Sequence, residues 1–134
     1  MQRETDTRRE YLNSLSTKVL DAAMRVHKEM GPGLLETVYQ LCMVKELQSR
    51  EISISQSVPV PLCYLGQPLN KDYIIDLLVE KEIIIELKAV EGILPVHEAQ
   101  IISYLKLADK RLGFLINFNV PLIKLGFKRY VNAF

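Results

Sequence analysis

Asp76, Glu86 and Lys88 are the only charged residues in two apolar runs, Tyr73 to Val79 and Ile83 to Val90, that flank the charged tip Glu80-Lys81-Glu82. Both runs read as strands of one hairpin. Asp76 and Glu86 are equidistant from Lys81, so a hairpin centred there sets them opposite each other, with Cβ atoms about 4.5–5.5 Å apart. Lys88 lies two residues beyond Glu86 and shares its face, because side chains alternate along a strand. One hairpin thus gathers two carboxylates and an ammonium at a single spot.

The surroundings make that spot costly. Continuous alternation puts Ile74, Leu78 and Ile84 on the charged face and Tyr73, Ile75, Leu77, Ile83, Ile85 and Leu87 on the other. Strands apolar on both faces belong in the middle of a sheet covered on both sides. Moving an ion out of water there costs on the order of several kcal/mol, and two facing carboxylates add repulsion. A divalent cation would remove the repulsion, and carboxylate oxygens suit Mg²⁺ or Mn²⁺ better than Zn²⁺. The same residues also fit a structural cluster, with Glu86 paired to Lys88 and Asp76 accepting backbone hydrogen bonds in a bulge.

The remaining chain supplies the frame. Residues 1–13 are polar, either a disordered or a helical lead-in, and residues 14–134 are expected to form a single domain. An amphipathic helix follows from Ser14 or Ser16, with Val19, Ala22, Ala23, Val26 and Met30 at three- and four-residue steps, and Gly31-Pro32-Gly33 stops it. A second helix spans about Leu34 to Ser49, its apolar face built from Leu35, Val38, Tyr39, Cys42 and Leu47. Ile52 to Leu65 is a bent or edge strand, because it carries Pro59 and Pro61, and Gly66-Gln67-Pro68 turns it into the hairpin. After a loop from Gly92, Pro95 opens a helix to about Ala108, with Ala99, Ile102 and Leu105 on the buried side and Ile101 a further candidate for it. Leu112 to Phe118 is another strand, and a last short one lies within residues 122–131. The order α-α-β-β-β-α-β-β predicts an α/β fold with a mixed sheet.

Composition narrows the function classes. A chain of 134 residues with 49% apolar and 25% charged residues is that of one globular domain. Its net charge of +1 gives no global basic field, so any nucleic-acid contact must be local. Cys42 and Cys63 have neither metal spacing nor a disulfide framework, which fits a reducing cytoplasm. No apolar run reaches membrane-span length and the charged start is no secretory signal, so no membrane partner is expected.

Gly33-Leu34-Leu35-Glu36-Thr37-Val38-Tyr39 fits GxxExxY, the motif naming a family of small prokaryotic proteins. Asp76 with Glu86-Leu87-Lys88 resembles the signature of the PD-(D/E)XK nuclease superfamily, to which that family is assigned, with Ile75 in place of the proline. Gln100 to Tyr104 resembles the QxxxY motif of its exonuclease branch. The resemblance covers roughly Val26 to Asn132. It implies a restriction-endonuclease-like αβββαβ core with a central mixed sheet flanked by helices. It further implies that Glu36, Asp76 and Glu86 hold Mg²⁺ or Mn²⁺, that Lys88 positions or activates the attacking water, and that Gln100 assists. Phosphodiester cleavage needs such a Lewis acid, an activated water and stabilisation of added negative charge.

Each outlying residue has a plainer role beside the functional one. Glu36 in the first turn of a helix interacts favourably with the helix dipole without any metal. Tyr39 supports Glu36 or fills core. Gln100 and Tyr104, four apart, share one helix face that either looks onto the hairpin or forms an ordinary helix edge. His27 reads as surface or packing, His97 as a cap or surface residue with substrate contact the functional alternative, and neither has a partner at zinc-ligand spacing. Lys124, Lys128 and Arg129 are possible phosphate contacts, as are Lys106, Lys110 and Arg111. The expected substrate is nucleic acid, DNA ahead of RNA, with a homo-oligomer or protein partner possible. The alternatives are a catalytically silent nucleic-acid-binding or scaffolding subunit of the same fold, and a structural ion cluster at a homodimer interface.

Overall fold

A computed structural model describes residues 2–134. Helices α1 (Gln2–Met30) and α2 (Glu36–Ser49) precede strands β1 (Ile54–Tyr64), β2 (Gln67–Val79) and β3 (Ile83–Lys88). Helix α3 (Pro95–Leu107), strand β4 (Leu112–Asn117), the single turn α4 (Ile123–Gly126) and strand β5 (Phe127–Val131) complete the chain. The strands form one sheet in the order β1-β2-β3-β4-β5. Among the described residues its one parallel pair is β3 with β4, joined by the crossover through α3. The result is the α/β, αβββαβ arrangement expected of a restriction-endonuclease-like core.

Helices cover both faces of the sheet. On one, Leu12, Leu15, Val19, Ala22, Ala23 and Val26 of α1 and Tyr39, Met43, Val44 and Leu47 of α2 pack on Leu77, Ile83, Ile85, Phe114 and Ile116. On the other, Ile101 and Leu105 of α3 pack on Ile75, Leu78, Ile84 and Leu115. Central β3 is buried on both sides, as a parallel-paired strand of Ile and Leu should be.

The structure corrects several details of the sequence reading. Helix α1 runs unbroken from Gln2, and Leu12 within the polar lead-in is only 2% exposed. The first hairpin turns at Leu65-Gly66, whose φ values of +49° and +78° are those of a type I′ loop between paired Tyr64 and Gln67. Strand β2 therefore starts at Gln67, and its polar first half pairs only with edge strand β1. Ala99 and Ile102 of α3 face solvent while Ile101 is buried, because Ile101 and Leu105, four residues apart on one helix face, seat together on Ile75, Leu78, Ile84 and Leu115. Met30 and Leu35 are exposed rather than core.

The largest correction concerns the faces of β2. Tyr73 and Ile75 pack with Leu78 and Ile84 under α3, not with Leu77 and Ile85. Alternation slips by one residue at Asp76. Strand β1 slips at the same level, where Ser57 takes φ +51° and the pairing skips from Gln56↔Leu77 to Val58↔Ile75. Two strands changing phase together keep their mutual pairing while exchanging the faces they present.

Gly126 ends α4 against the end of β4, where an added Cβ would run into the Asn117 carbonyl. Gly126→Ala should therefore cost about 1–3 kcal/mol. Urea denaturation measures it; an unchanged midpoint would show that the α4 turn gives way freely.

Candidate active site

The hairpin register places Asp76 and Glu86 opposite each other, as the symmetry about Lys81 requires, but the backbone ladder stops one residue short, at Leu77↔Ile85. The carboxylates take over from there. The Asp76 N–H donates to Glu86 Oε2 at 2.9 Å, and the Leu87 N–H donates to Asp76 Oδ2 at 2.8 Å. Beyond this level β3 continues paired with β4, and β2 continues paired with β1. The acidic pair sits at the fork where the two halves of the sheet part.

Burial governs its electrostatics. Glu86 is 9% exposed, and desolvation followed by the Asp76 charge pushes its pKa up to about 8; the Asp76 N–H and then Lys88 act in the opposite direction. Asp76 is likewise raised, first by burial and more weakly by Glu36, against the lowering effects of the Leu87 N–H and Lys88. Lys88 is thus near enough to favour ionisation of both carboxylates, yet among the described residues it makes no salt bridge within 4.0 Å. Negative charge in this pair is under-compensated by the protein alone.

Glu36 approaches from α2, at its first residue. Its Oε2 accepts the N–H of Ala89, directly beyond β3, at 3.2 Å. Tyr39 holds the loop ahead of it: its buried hydroxyl donates to Gly31 O at 2.6 Å and accepts from the Leu34 N–H at 3.1 Å, while its ring stacks on Phe118 at 4.4 Å. Gly33 there has φ +96°, a conformation that favours glycine. The spacing from Gly33 through Glu36 to Tyr39 is thereby explained as a clamped turn that delivers a carboxylate to the sheet.

Tyr104 of α3 stacks on Tyr73 with ring centroids 4.0 Å apart, and the Tyr73 hydroxyl donates to the Tyr104 carbonyl at 2.9 Å. The Tyr104 pKa is raised by burial and then by Glu86 and Asp76, which places its phenol on the acidic side of the fork. Gln100, one turn earlier, is exposed. Among the described residues, no group of three His, Cys, Asp or Glu side chains is arranged to hold a metal ion; Asp76 and Glu86 form a pair, and Glu36 is near enough to raise the Asp76 pKa.

The basic residues of the tail do not converge. Lys128 pairs with Leu115, which pairs with Glu86, so it shares the acidic face two strands away and contacts Glu98 at 3.8 Å. Arg129 points to the other face, where it donates to Asn13 and lies over the Phe134 ring. Lys124 is exposed on α4. His97 caps α3 by accepting the Leu94 N–H, and His27 contacts the Val120 carbonyl at 2.8 Å.

Three supporting residues were invisible in the pattern of charges. Gln40, one turn after Glu36 on α2, donates Nε2 to the Asp76 carbonyl at 3.2 Å and so ties the helix to the fork. Tyr73 fixes Tyr104. Asn117, 2% exposed beside Lys88, bonds both backbone groups of Val90 through its amide, at 3.1 and 2.9 Å. A polar residue ending the apolar run Leu112 to Ile116 was the one available signal for Asn117.

A family model described as the PD-(D/E)XK nuclease superfamily matches residues 13–130. The chain belongs to that superfamily. No curated protein and no solved structure matches it. Membership in the PD-(D/E)XK superfamily suggests nuclease activity and hence a nucleic-acid substrate, and divalent metals generally serve its members. Among the described residues no helix is long and apolar enough to cross a membrane.

The acidic pair makes a pH prediction. Glu86 ordinarily titrates near 4.5 and in the fold near about 8, so between these values the folded protein holds a proton that the unfolded chain releases. This group's stabilising contribution is present below about pH 4.5 and is lost as pH rises to about 8. In chelator-treated protein, Glu86→Gln should melt close to wild type near pH 4.5 and progressively above it toward pH 8. Parallel melting curves across that range would contradict the raised pKa.

Proposed function

We propose that this protein is a Mg²⁺- or Mn²⁺-dependent phosphodiester hydrolase acting on DNA, and that it belongs with the GxxExxY proteins. The observation that carries the reading is the buried Asp76–Glu86 pair, under-compensated by Lys88 and set at the fork between β2 and β3. Its donor set of hard carboxylate oxygens fits a divalent cation. Asp76 and Glu86 would hold it, with Glu36 joining from α2. When bound, the cation supplies Lewis-acid polarisation of the scissile phosphate and a more acidic water.

The protein's own residues do the rest. Lys88, fixed at the end of β3 where its carbonyl accepts the Phe118 N–H at 2.9 Å, orients the attacking water and offsets charge developing on phosphate. Gln40 and Tyr39 hold Asp76 and the Glu36 loop in place. Tyr104, pinned by Tyr73, faces the acidic pair as a neutral hydroxyl donor to a phosphate oxygen, and Gln100 lies exposed where substrate would pass. Lys124, Lys128 and Arg129 remain peripheral phosphate contacts. A reducing cytoplasmic setting agrees with unpaired Cys42 and Cys63, and a second copy or partner protein could complete the DNA surface.

A second reading, a nucleic-acid-binding or scaffolding subunit without turnover, is favoured by one feature: each carboxylate already accepts a backbone N–H. Cleavage of labelled single- and double-stranded DNA with Mn²⁺ tests the first reading. Lys88→Ala should abolish cleavage, a loss of at least about a hundredfold on the scale of a removed transition-state donor, while retaining metal-induced stabilisation. Equal cleavage by wild type and a Glu86→Ala/Lys88→Ala double variant would sink the site.

Divalent cation should also raise the melting temperature of wild type by mass action, and Asp76→Asn should lessen that rise. A melting temperature indifferent to Mg²⁺ and Mn²⁺, with no cleavage, would leave the non-catalytic subunit as the reading.

A further inference from the structure

Among the described residues, Glu86 and Asn117 are the buried ones that carry a charge or an amide. Asn117 follows the buried run Leu112 to Ile116 at the end of β4, where the strand pattern alone calls for another apolar side chain. Burying an amide is costly unless its hydrogen bonds are replaced. Here they are: Oδ1 accepts the N–H of Val90 at 3.1 Å and of Asn119 at 3.2 Å, and Nδ2 donates to the Val90 carbonyl at 2.9 Å.

The two Val90 bonds prolong a ladder past the point where its backbone pairing stops. Strands β3 and β4 pair as far as Lys88↔Asn117, and the Phe118 N–H donates to the Lys88 carbonyl. Backbone groups of an extended chain turn to alternate edges, so Val90 is the next residue to face β4. The Asn117 amide takes both of its groups. Ala89 is thereby held from both neighbours, with its own N–H on the opposite edge. That edge faces the fork, where the Leu87 N–H goes to Asp76 and the Ala89 N–H goes to Glu36.

Glu36 depends on this arrangement more than the other two carboxylates do. Asp76 and Glu86 lie within the sheet, whereas Glu36 is exposed and is tied to the sheet by the Ala89 N–H at 3.2 Å. A long side chain in water resists being fixed in one rotamer, so its carboxylate is only as well placed as the donor that anchors it. The start of α2 leans on the same end of β4, because Tyr39, which clamps the turn ahead of Glu36, stacks on Phe118.

We infer that Asn117 is a positioning residue of the nuclease site: by prolonging the β3–β4 pairing to Val90 it fixes the Ala89 N–H that holds Glu36 at the fork. The inference rests on the metal-dependent reading above and adds a residue that acts through Glu36 without touching metal or substrate. Groups that orient a metal's ligands in this way contribute about 10–100-fold to metal affinity. A purely structural role, closing the loop after β3, would lower stability without singling out Glu36.

Two measurements on the full chain separate these roles. In metal-free protein, amide hydrogen exchange followed by NMR should find Ala89 and Val90 protected together. Asn117→Ala should speed exchange at both, and Glu36→Ala at Ala89 alone. Asn117→Asp, which keeps the oxygen that accepts the Val90 N–H, should restore protection at Ala89. Calorimetric titration with Mn²⁺ is the second readout. Asn117→Ala should weaken Mn²⁺ about tenfold, but less than about twofold when Glu36 is already alanine, because the two residues act as one unit. Unchanged Mn²⁺ affinity in Asn117→Ala, with a loss in Glu36→Ala, overturns the inference and leaves the metal site standing. Losses that add in the double variant overturn it as well, since they mark a general loosening. Should Asn117→Ala not fold, the wild-type exchange pattern decides, and Ala89 exchanging freely beside a protected Val90 overturns the inference. If Mn²⁺ does not bind wild type, the metal-dependent reading fails and the inference with it.

Discussion

Two carboxylates facing each other inside a sheet are the constraint on which the rest of this structure depends. A normal antiparallel ladder has no room for Asp76 and Glu86 to ionise side by side, and the ladder accordingly stops at Leu77↔Ile85. The N–H groups of Asp76 and Leu87 go to side-chain oxygens instead of the opposite strand. Neither of these two donors is abandoned in the exchange, which matters because an orphaned buried donor costs about 1–3 kcal/mol. What is given up is continuity: β2 leaves β3, and the sheet forks.

The fork has to be held open by groups on both sides. Beyond it, β3 leans on β4, with Phe118 N–H on the Lys88 carbonyl and Asn117 on both backbone groups of Val90. On the other branch β2 leans on β1, and the paired slip at Ser57 and Asp76 lets Tyr73 and Ile75 pack under α3. Helix α2 spans the gap, reaching Ala89 through Glu36 and the Asp76 carbonyl through Gln40. The site is therefore stiffened by contacts made on each branch separately, so its charges can be poorly matched without collapsing the fork.

This division explains what the sequence disclosed. Facing of Asp76 and Glu86 follows from symmetry about Lys81 and needs only local information, so it was legible. The face of Tyr73 was not, because alternation assumes an unbroken pleat and the break depends on Ser57, in a different strand, adopting φ +51°. The buried side of α3 was ambiguous while Ile101 and Ile102 stood adjacent; it is settled by the fit of Ile101 and Leu105 against Ile75, Ile84 and Leu115, residues of distant strands. The turn α4 is four residues long and leaves no periodicity to read. Tyr39 was visible as a residue but not as a clamp, since its partners are backbone atoms of Gly31 and Leu34.

Several conflicts between local preference and fold lie near the fork. A leucine stands at the N-cap of α2, a serine takes a left-handed backbone, and two carboxylates lie in an apolar sheet, all around the fork or at the sheet end to which it opens. Much of the scaffold follows local preference, with β3 buried on both faces and the proline-bearing strand at the edge, although left-handed residues also occur at distant turns, at Leu65 and Asp109. The two facing carboxylates are the conflict that a turn does not explain, because a residue kept for what it contacts outside the protein need not satisfy the preferences of the fold around it.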